Sequence, residues 1–188
     1  PRILDLGCGD AGSIAQTLEG VTLAGYTGVD LSPVALDAAA TNLVGVGLKA
    51  RLVESDYMAF LAESSAAEYD AIVAGYTVHH LRGDDPKRFF SLAKRRLTPG
   101  GLILIYDVFR EESESREQNL SRNHMWRTKT WTALSEADLG AIRDHVFAAD
   151  YPKSEAELTF HAEEAGLDRA PKLLFKAPTG IHRLYAWQ

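Results

Sequence analysis

The chain has 188 residues, 46% hydrophobic and 24% charged, with 26 acidic against 20 basic side chains and a formal net charge of −6. That length fits one domain with a real core, the apolar fraction excludes a disordered chain, and no run approaches the roughly 18 apolar residues of a membrane span. The acidic balance argues against a nucleic-acid partner; the single cysteine, Cys8, rules out an intrachain disulfide or a cysteine-rich zinc site and points to a reducing, cytoplasmic setting.

The sequence opens at Pro1 and enters an apolar run at once, Ile3-Leu4-Asp5-Leu6, with no signal or transit peptide in view. A domain that starts inside a strand is expected to lack an N-terminal covering segment. Strand character over Arg2–Leu6 ends at Gly7; residues 11–18 read as a helix and 26–29 as a second strand. Ser32-Pro33 opens the next helix, Ser as N-cap and Pro in the first turn, and a glycine stops it near Gly45. Residues 51–54 form a third strand, Tyr57–Glu63 a short helix with Met58 and Leu61 on one face, and 69–74 a fourth, continuously apolar strand. Asp84-Asp85-Pro86 starts a helix whose last turn carries Lys94, Arg95 and Arg96, where positive charge suits the macrodipole. Pro99-Gly100-Gly101 is expected to stop that helix ahead of a fifth strand over 102–106.

The rhythm breaks at Arg110. Residues 110–150 are polar, carry both signs of charge, and read as a helical insertion over the sheet, with 110–117 as a solvated helix face. Ser154-x-x-Glu157 is a capping box for a helix reaching Gly166, and Lys172–Lys176 and His182–Trp187 close the chain as an antiparallel hairpin. The expected architecture is α/β: a doubly wound, mostly parallel seven-stranded sheet with a helical lid. It is one domain, with residues 1–109 as a cofactor-binding half, 110–150 as the lid and 151–188 as closing helix and hairpin.

Gly7, Gly9 and Gly12 satisfy Gly-x-Gly-x-x-Gly between a strand and a helix, and Asp30 follows 18 residues after Gly12, placed to accept two ribose hydroxyls. Read in order, Ile3-Leu4-Asp5-Leu6-Gly7-Cys8-Gly9-Asp10, Gly28-Val29-Asp30-Leu31-Ser32, Glu54-Ser55-Asp56, Tyr69-Asp70-Ala71-Ile72-Val73 and Leu97-Thr98-Pro99-Gly100-Gly101 make the chain resemble the class I S-adenosylmethionine-dependent methyltransferases. The resemblance spans roughly the first 107 residues, and the terminal hairpin matches the family's reversed last strand. It implies S-adenosylmethionine as cofactor and S-adenosylhomocysteine as product. Asp5 would meet the ammonium end of this sulfonium cation, where a pyrophosphate binder would be repelled by a carboxylate. Gly7, Cys8 and Gly9 would let the methionine portion lie against the backbone. Asp30 would take the ribose, with Leu31 on the adenine side. Asp56 would accept from the adenine amino group or cap the next helix, and Tyr57 would add a backbone contact or a ring wall. Gly75 and Tyr76 would line the pocket further on. Cys8 itself reads as a small filler rather than a nucleophile.

Ligands gather at the carboxyl ends of strands, which puts the acceptor beside residues 75–81 and 107–110. The first segment lacks the Asn/Asp-Pro-Pro-Tyr and Pro-Cys patterns of adenine and cytosine methylation. His79 or His80 could take a proton from an oxygen or nitrogen acceptor; alternatively one packs under the sheet rim and the other is solvated. Asp107 could orient substrate, act as the base, or cap the strand end. In the lid, Asn123, Arg127 and Trp131 share a helical face, and Trp126 with Arg127 could clamp a planar or carboxylated small molecule, whereas Trp131 reads as an anchor. No metal ligand set is read. The leading expectation is methyl transfer to a small molecule, oxygen or nitrogen preferred, with neither nucleic acid nor membrane as partner. The rivals are an NAD(P)-dependent oxidoreductase and a non-catalytic S-adenosylmethionine-binding protein.

Overall fold

Each apolar run in the first half of the chain is returned by an amphipathic stretch, so successive strands can pair only in parallel through crossovers. In the computed structural model, which describes residues 1–63 and 66–188, the elements follow that plan. They are β1 (Arg2–Leu6), α1 (Gly12–Leu18), β2 (Gly25–Asp30), α2 (Pro33–Gly45), β3 (Ala50–Glu54), α3 (Tyr57–Glu63), β4 (Tyr69–Gly75), α4 (Asp85–Arg96), β5 (Leu97–Val108), α5 (Arg116–Thr130), α6 (Glu136–Ala149), α7 (Glu155–Glu164), β6 (Lys172–Lys176) and β7 (His182–Trp187). The seven strands lie in the order β3-β2-β1-β4-β5-β7-β6. β7 runs antiparallel to β5, and β6 pairs with β7 as the outer strand of the terminal hairpin. The order reverses direction between β1 and β4, which opens a crevice at their carboxyl ends.

The two faces of the sheet are covered unequally. On one, Leu4, Leu6, Ile72, Ile103, Ile105 and Trp187 pack under α3, α4 and α7. On the other, α1 and α2 cover Ile3 and Tyr26, while Leu102, Tyr76 and Phe175 stay exposed on or beside β4, β5 and β6. Helix starts follow local chemistry: Ser32 accepts from the Ala35 N–H, and Ser115, Ser135 and Ser154 each close a reciprocal capping box. Ser115-x-x-Gln118 and Ser135-x-x-Asp138 were the sequence signals that locate α5 and α6 within the lid.

Two expectations are corrected. Pro99-Gly100-Gly101 does not separate α4 from a later strand. The helix ends at Arg96, and β5 begins at once with Leu97 opposite Tyr69, the register slipping before Ala71 meets Leu102. Gly100 holds φ +81°, and a side chain at Gly101 would press on the Thr98 and Asp70 carbonyls, so the glycines form an irregularity inside the strand. Nor is the 110–117 run a solvated helix face. Residues 110–114 form an irregular link in which Glu111 pairs with Arg183 and Lys176, Glu114 with Arg122, and Arg110 with Glu157. The Arg122 guanidinium holds the Glu114 carboxyl down at about 2.

Trp187 is fully buried, with ring centroids 5.4 Å from Phe90 and 5.7 Å from Tyr185. Trp187→Ala is expected to cost about 3–5 kcal/mol, the usual range for emptying a large aromatic site. Urea denaturation checks this, and a loss under about 1 kcal/mol would show that the last strand is not part of the cooperative core.

Candidate active site

The turn after β1 is shaped by backbone geometry that only glycine adopts freely. Gly7 and Gly9 hold φ +64° and +53°, and a Cβ on Gly7 would come within 2.7 Å of the Thr77 hydroxyl. That hydroxyl lies 3.0 Å from the Leu6 carbonyl and 2.8 Å from the Gly75 carbonyl and shares its one proton between them, so Thr77 fastens the β1 turn to the end of β4. The Gly9 N–H donates to Asp30 Oδ2 at 2.8 Å and the Ser32 N–H to Oδ1 at 2.9 Å. Asp30 thereby orders both turns and keeps further lone pairs for a diol.

Asp5 is 5% exposed and accepts from the Tyr26 hydroxyl at 2.6 Å. Burial pushes its pKa up to about 6, against the pull of Tyr26 and with some help from the Asp30 charge. Because this value lies above that of the unfolded chain, ionising Asp5 removes stability as pH rises from about 4 to 6; a cation placed beside it would restore that stability. Cys8 packs on Gly28, and burial, reinforced by the charge of Asp5, pushes its thiol up to about 12, which fits a filler.

A cavity of about 430 Å³ runs from Asp5, Gly7 and Cys8 to Gly75 and Tyr76, so the glycine turn and the end of β4 share one space. The remaining residues expected at the cofactor stand apart from it. Leu31 is 67% exposed beyond β2. Asp56 accepts from the Ala59 N–H at 2.9 Å, serving as the helix cap. The Tyr57 ring turns inward, edge-on to Phe89 at 6.4 Å, and its hydroxyl donates to the Thr77 carbonyl, so no ring wall forms there.

At the far end of this cavity, Tyr76 holds a left-handed backbone, φ 53°, a conformation that costs about 1–3 kcal/mol outside glycine and gathers at functional sites. Its ring lies 5.3 Å from Tyr106, 5.7 Å from His182 and 6.5 Å from His79. His79 is buried, with Nδ1 2.6 Å from Asp107 Oδ1. Asp107, 2% exposed, also accepts the Val78 and His79 N–H groups through Oδ2, so it stands behind the histidine rather than facing the cleft. Burial works to lower the His79 pKa, but Asp107 and then Asp150 outweigh it and raise the value. The His80 side chain is 46% exposed, with Nδ1 3.4 Å from the Ala149 carbonyl and 3.6 Å from Asp150 Oδ1.

Asp150 had no local signal in the sequence. It lies about 70 residues from the histidines it faces and is brought there by the Tyr151 N–H donating to the His79 carbonyl. From the lid, Arg127 is buried over the Trp131 ring at 5.6 Å, and Trp126 meets His182 at 5.4 Å. Trp131 is 40% exposed, at the end of α5.

A doubly wound sheet in this strand order, with a reversed strand inserted before its last edge and a glycine turn leading into the crevice, is the frame of a cofactor-dependent transferase. The chain belongs to the methyltransferase domain family, whose model matches residues 3–101, and is a class I S-adenosylmethionine-dependent member. It is 26% identical over 172 residues to the alpha N-terminal protein methyltransferase 1 of Arabidopsis thaliana, covering 80% of this chain and 61% of the plant protein. Among solved structures, an O-methyltransferase family protein from Burkholderia thailandensis superposes with a TM-score of 0.71 at 15% identity, covering 100% of this chain and 50% of that one. Human N-acetylserotonin methyltransferase, crystallised with S-adenosylmethionine, gives 0.66 at 15% identity over 100% and 47%. The chain thus spans about half the length of these structural relatives. The family match sets aside the nicotinamide alternative; the cofactor is S-adenosylmethionine.

Tyr26→Phe removes the side-chain donor to Asp5 that opposes burial, so the Asp5 pKa should rise above about 6. Carboxyl-carbon NMR titration of the ligand-free protein reads it directly. A value that stayed put or fell would show that the Tyr26 bond does not stabilise the charge.

Proposed function

We propose that this protein transfers a methyl group from S-adenosylmethionine to an oxygen or nitrogen of a small molecule, releasing S-adenosylhomocysteine and the acceptor's proton. The observation that supports this most is the single cavity joining Asp5 and the glycine turn to Gly75 and Tyr76, because donor and acceptor ends need a shared space. When bound, the cofactor supplies a methyl carbon already activated for in-line displacement, so most of the acceleration can come from alignment. Asp5 holds the ammonium end and Asp30 the ribose hydroxyls, while Gly7 and Gly9 leave the backbone bare beside the chain that links them. Asp56 keeps one carboxylate oxygen for the adenine side.

His80 takes the acceptor proton. Its Nδ1 faces the Ala149 carbonyl and Asp150, which orients the ring and leaves Nε2 for the acceptor. His79 is a positioning residue, held by Asp107 and holding the residue after Asp150 through its own carbonyl. The name of the Burkholderia relative points to an oxygen acceptor and that of the plant relative to the N-terminus of a protein, so oxygen and amine acceptors both belong in a panel.

Calorimetry with S-adenosylmethionine, S-adenosylhomocysteine and NAD tests the cofactor half. The two sulfur nucleosides should bind and NAD should not; Asp30→Ala should weaken binding about tenfold or more, the worth of a charged hydrogen bond. Affinity should fall as pH drops below about 6, where Asp5 is protonated, and Asp5→Asn should flatten that dependence. Turnover on a panel of small phenols and amines tests the rest. His80→Ala should lower kcat about 10²–10⁴-fold with cofactor affinity unchanged. Tight cofactor binding without turnover of any acceptor would favour the non-catalytic reading.

A further inference from the structure

The inward face of α5 carries Asn119, Asn123 and Arg127, one turn apart. Asn119 has a structural task, its Nδ2 donating to the Phe109 carbonyl at 3.0 Å. Arg127 has none. It is 8% exposed, its side chain makes no hydrogen bond or ion pair among the described residues, and Nη1 is enclosed without a partner. Asn123, 1% exposed, leaves Oδ1 in the same condition one turn away. The other buried arginines are paired: Arg96 reaches Glu68 and the Phe60 carbonyl, and Arg183 reaches Glu111 and the Gly180 carbonyl.

A buried guanidinium without a counter-charge is strongly unfavourable, and folding alone gives no reason to keep one. The surroundings of Arg127 indicate what completes it. Its charge acts on His79 and His182, while Tyr76 and Asp150 act on it, and Tyr76 among them lines the cavity that reaches the glycine turn. Asp150 is the nearby anion, yet it stands outside ion-pair distance of Arg127 and faces His79 and His80 at 3.7 and 3.6 Å. The Trp131 ring lies 5.6 Å from the guanidinium carbon. Trp126, His182 and Tyr76 continue from there as a chain of rings, with centroids 5.4 and 5.7 Å apart.

We infer that the acceptor is an aromatic carboxylic acid whose carboxylate is received by Arg127, with its ring laid along the row of Trp126, His182 and Tyr76 and the methylated atom toward His80. This rests on the reading of the cleft as the acceptor site and narrows it to one substrate class. The planar guanidinium fork matches a carboxylate with two parallel hydrogen bonds, a match that neither a carboxamide nor an ester reproduces. Specificity then comes from the site itself: a neutral analogue leaves the guanidinium buried and unpaired.

The test uses the full chain saturated with S-adenosylhomocysteine and a panel of hydroxybenzoates and aminobenzoates, each beside its carboxamide. Calorimetry should show acids binding at least tenfold more tightly than their amides. Arg127→Gln and Arg127→Met should erase that preference, and Arg127→Lys should keep part of it. A second readout needs no acceptor. If Arg127 awaits an anion, Arg127→Met should raise the melting temperature of the unliganded protein by relieving an unpaired charge; a structural arginine would give a fall. Equal binding of acids and amides, no binding by any acid, a preference untouched by Arg127→Gln, or a lowered melting temperature in Arg127→Met would each overturn the proposal. Failure of S-adenosylhomocysteine to bind at the outset would instead strike the cofactor reading beneath it.

Discussion

Asp107 ties the halves of the cleft together. Its carboxylate sits at the end of β5, 2% exposed, and accepts from the His79 ring, from the Val78 and His79 backbone and from the Val108 N–H. A buried carboxylate without such donors is prohibitively costly, so the short turn after β4 has to fold back over β5 to supply them. Once it does, the direction of His79 is fixed, its carbonyl receives the Tyr151 N–H, and the end of α6 is drawn over the crevice with Asp150. Sheet, turn and lid meet through one side chain. Removing one partner of a buried charged pair usually costs about 3–5 kcal/mol, so a change at this position acts on stability first.

The cofactor end works by a different economy. Thr77, and Asp30 through the Gly9 N–H, hold the turn after β1 with hydrogen bonds that need no ligand, so little ordering remains to be done on binding. Asp5 is the exception. It is buried beside Tyr26 at a cost visible in its raised pKa, and that cost is recovered only when a cation is placed next to it. Arg127, on α5, repeats the theme with the sign reversed: it is a buried positive group whose side chain has no hydrogen-bond or ion-pair partner among the described residues.

Much of the architecture was legible because it is written locally. Alternating strand and helix periods, Ser32-Pro33 and the Ser154 capping box each involve residues within a few positions, and the elements they define lie where those signals put them. Pro99-Gly100-Gly101 misled because the same residues that stop a helix also serve as an irregularity within a strand, and only pairing with Tyr69 and Ala71 distinguishes the two. The charges of residues 110–117 misled because their partners, Arg183 and Glu157, arrive from the far end of the chain. Around the candidate site, spacing singled out Gly7, Gly9 and Asp30, the resemblance added Asp5, and the structure sets Asp5 and Gly7 on one cavity. Asp150 was not legible, being an ordinary residue at a helix end until tertiary structure brings it to two histidines. Nor was it legible that Arg127 lacks a partner, since that is a property of the packed molecule.

The outer strand β6 has a further consequence. Its five residues, Lys172-Leu173-Leu174-Phe175-Lys176, are all exposed, and the strand presents an open backbone edge with three consecutive large apolar side chains. Such a strip is a template for a second copy of itself. Aligned antiparallel, two such strands would set Lys172 against Lys176 at both ends; aligned parallel in register, each lysine would meet its own counterpart. Lys176 shares Glu111 with Arg183, so the charge there is only partly answered. The strip therefore repels its own copy in either orientation, and two terminal ammonium groups guard the sheet against growing by its own edge.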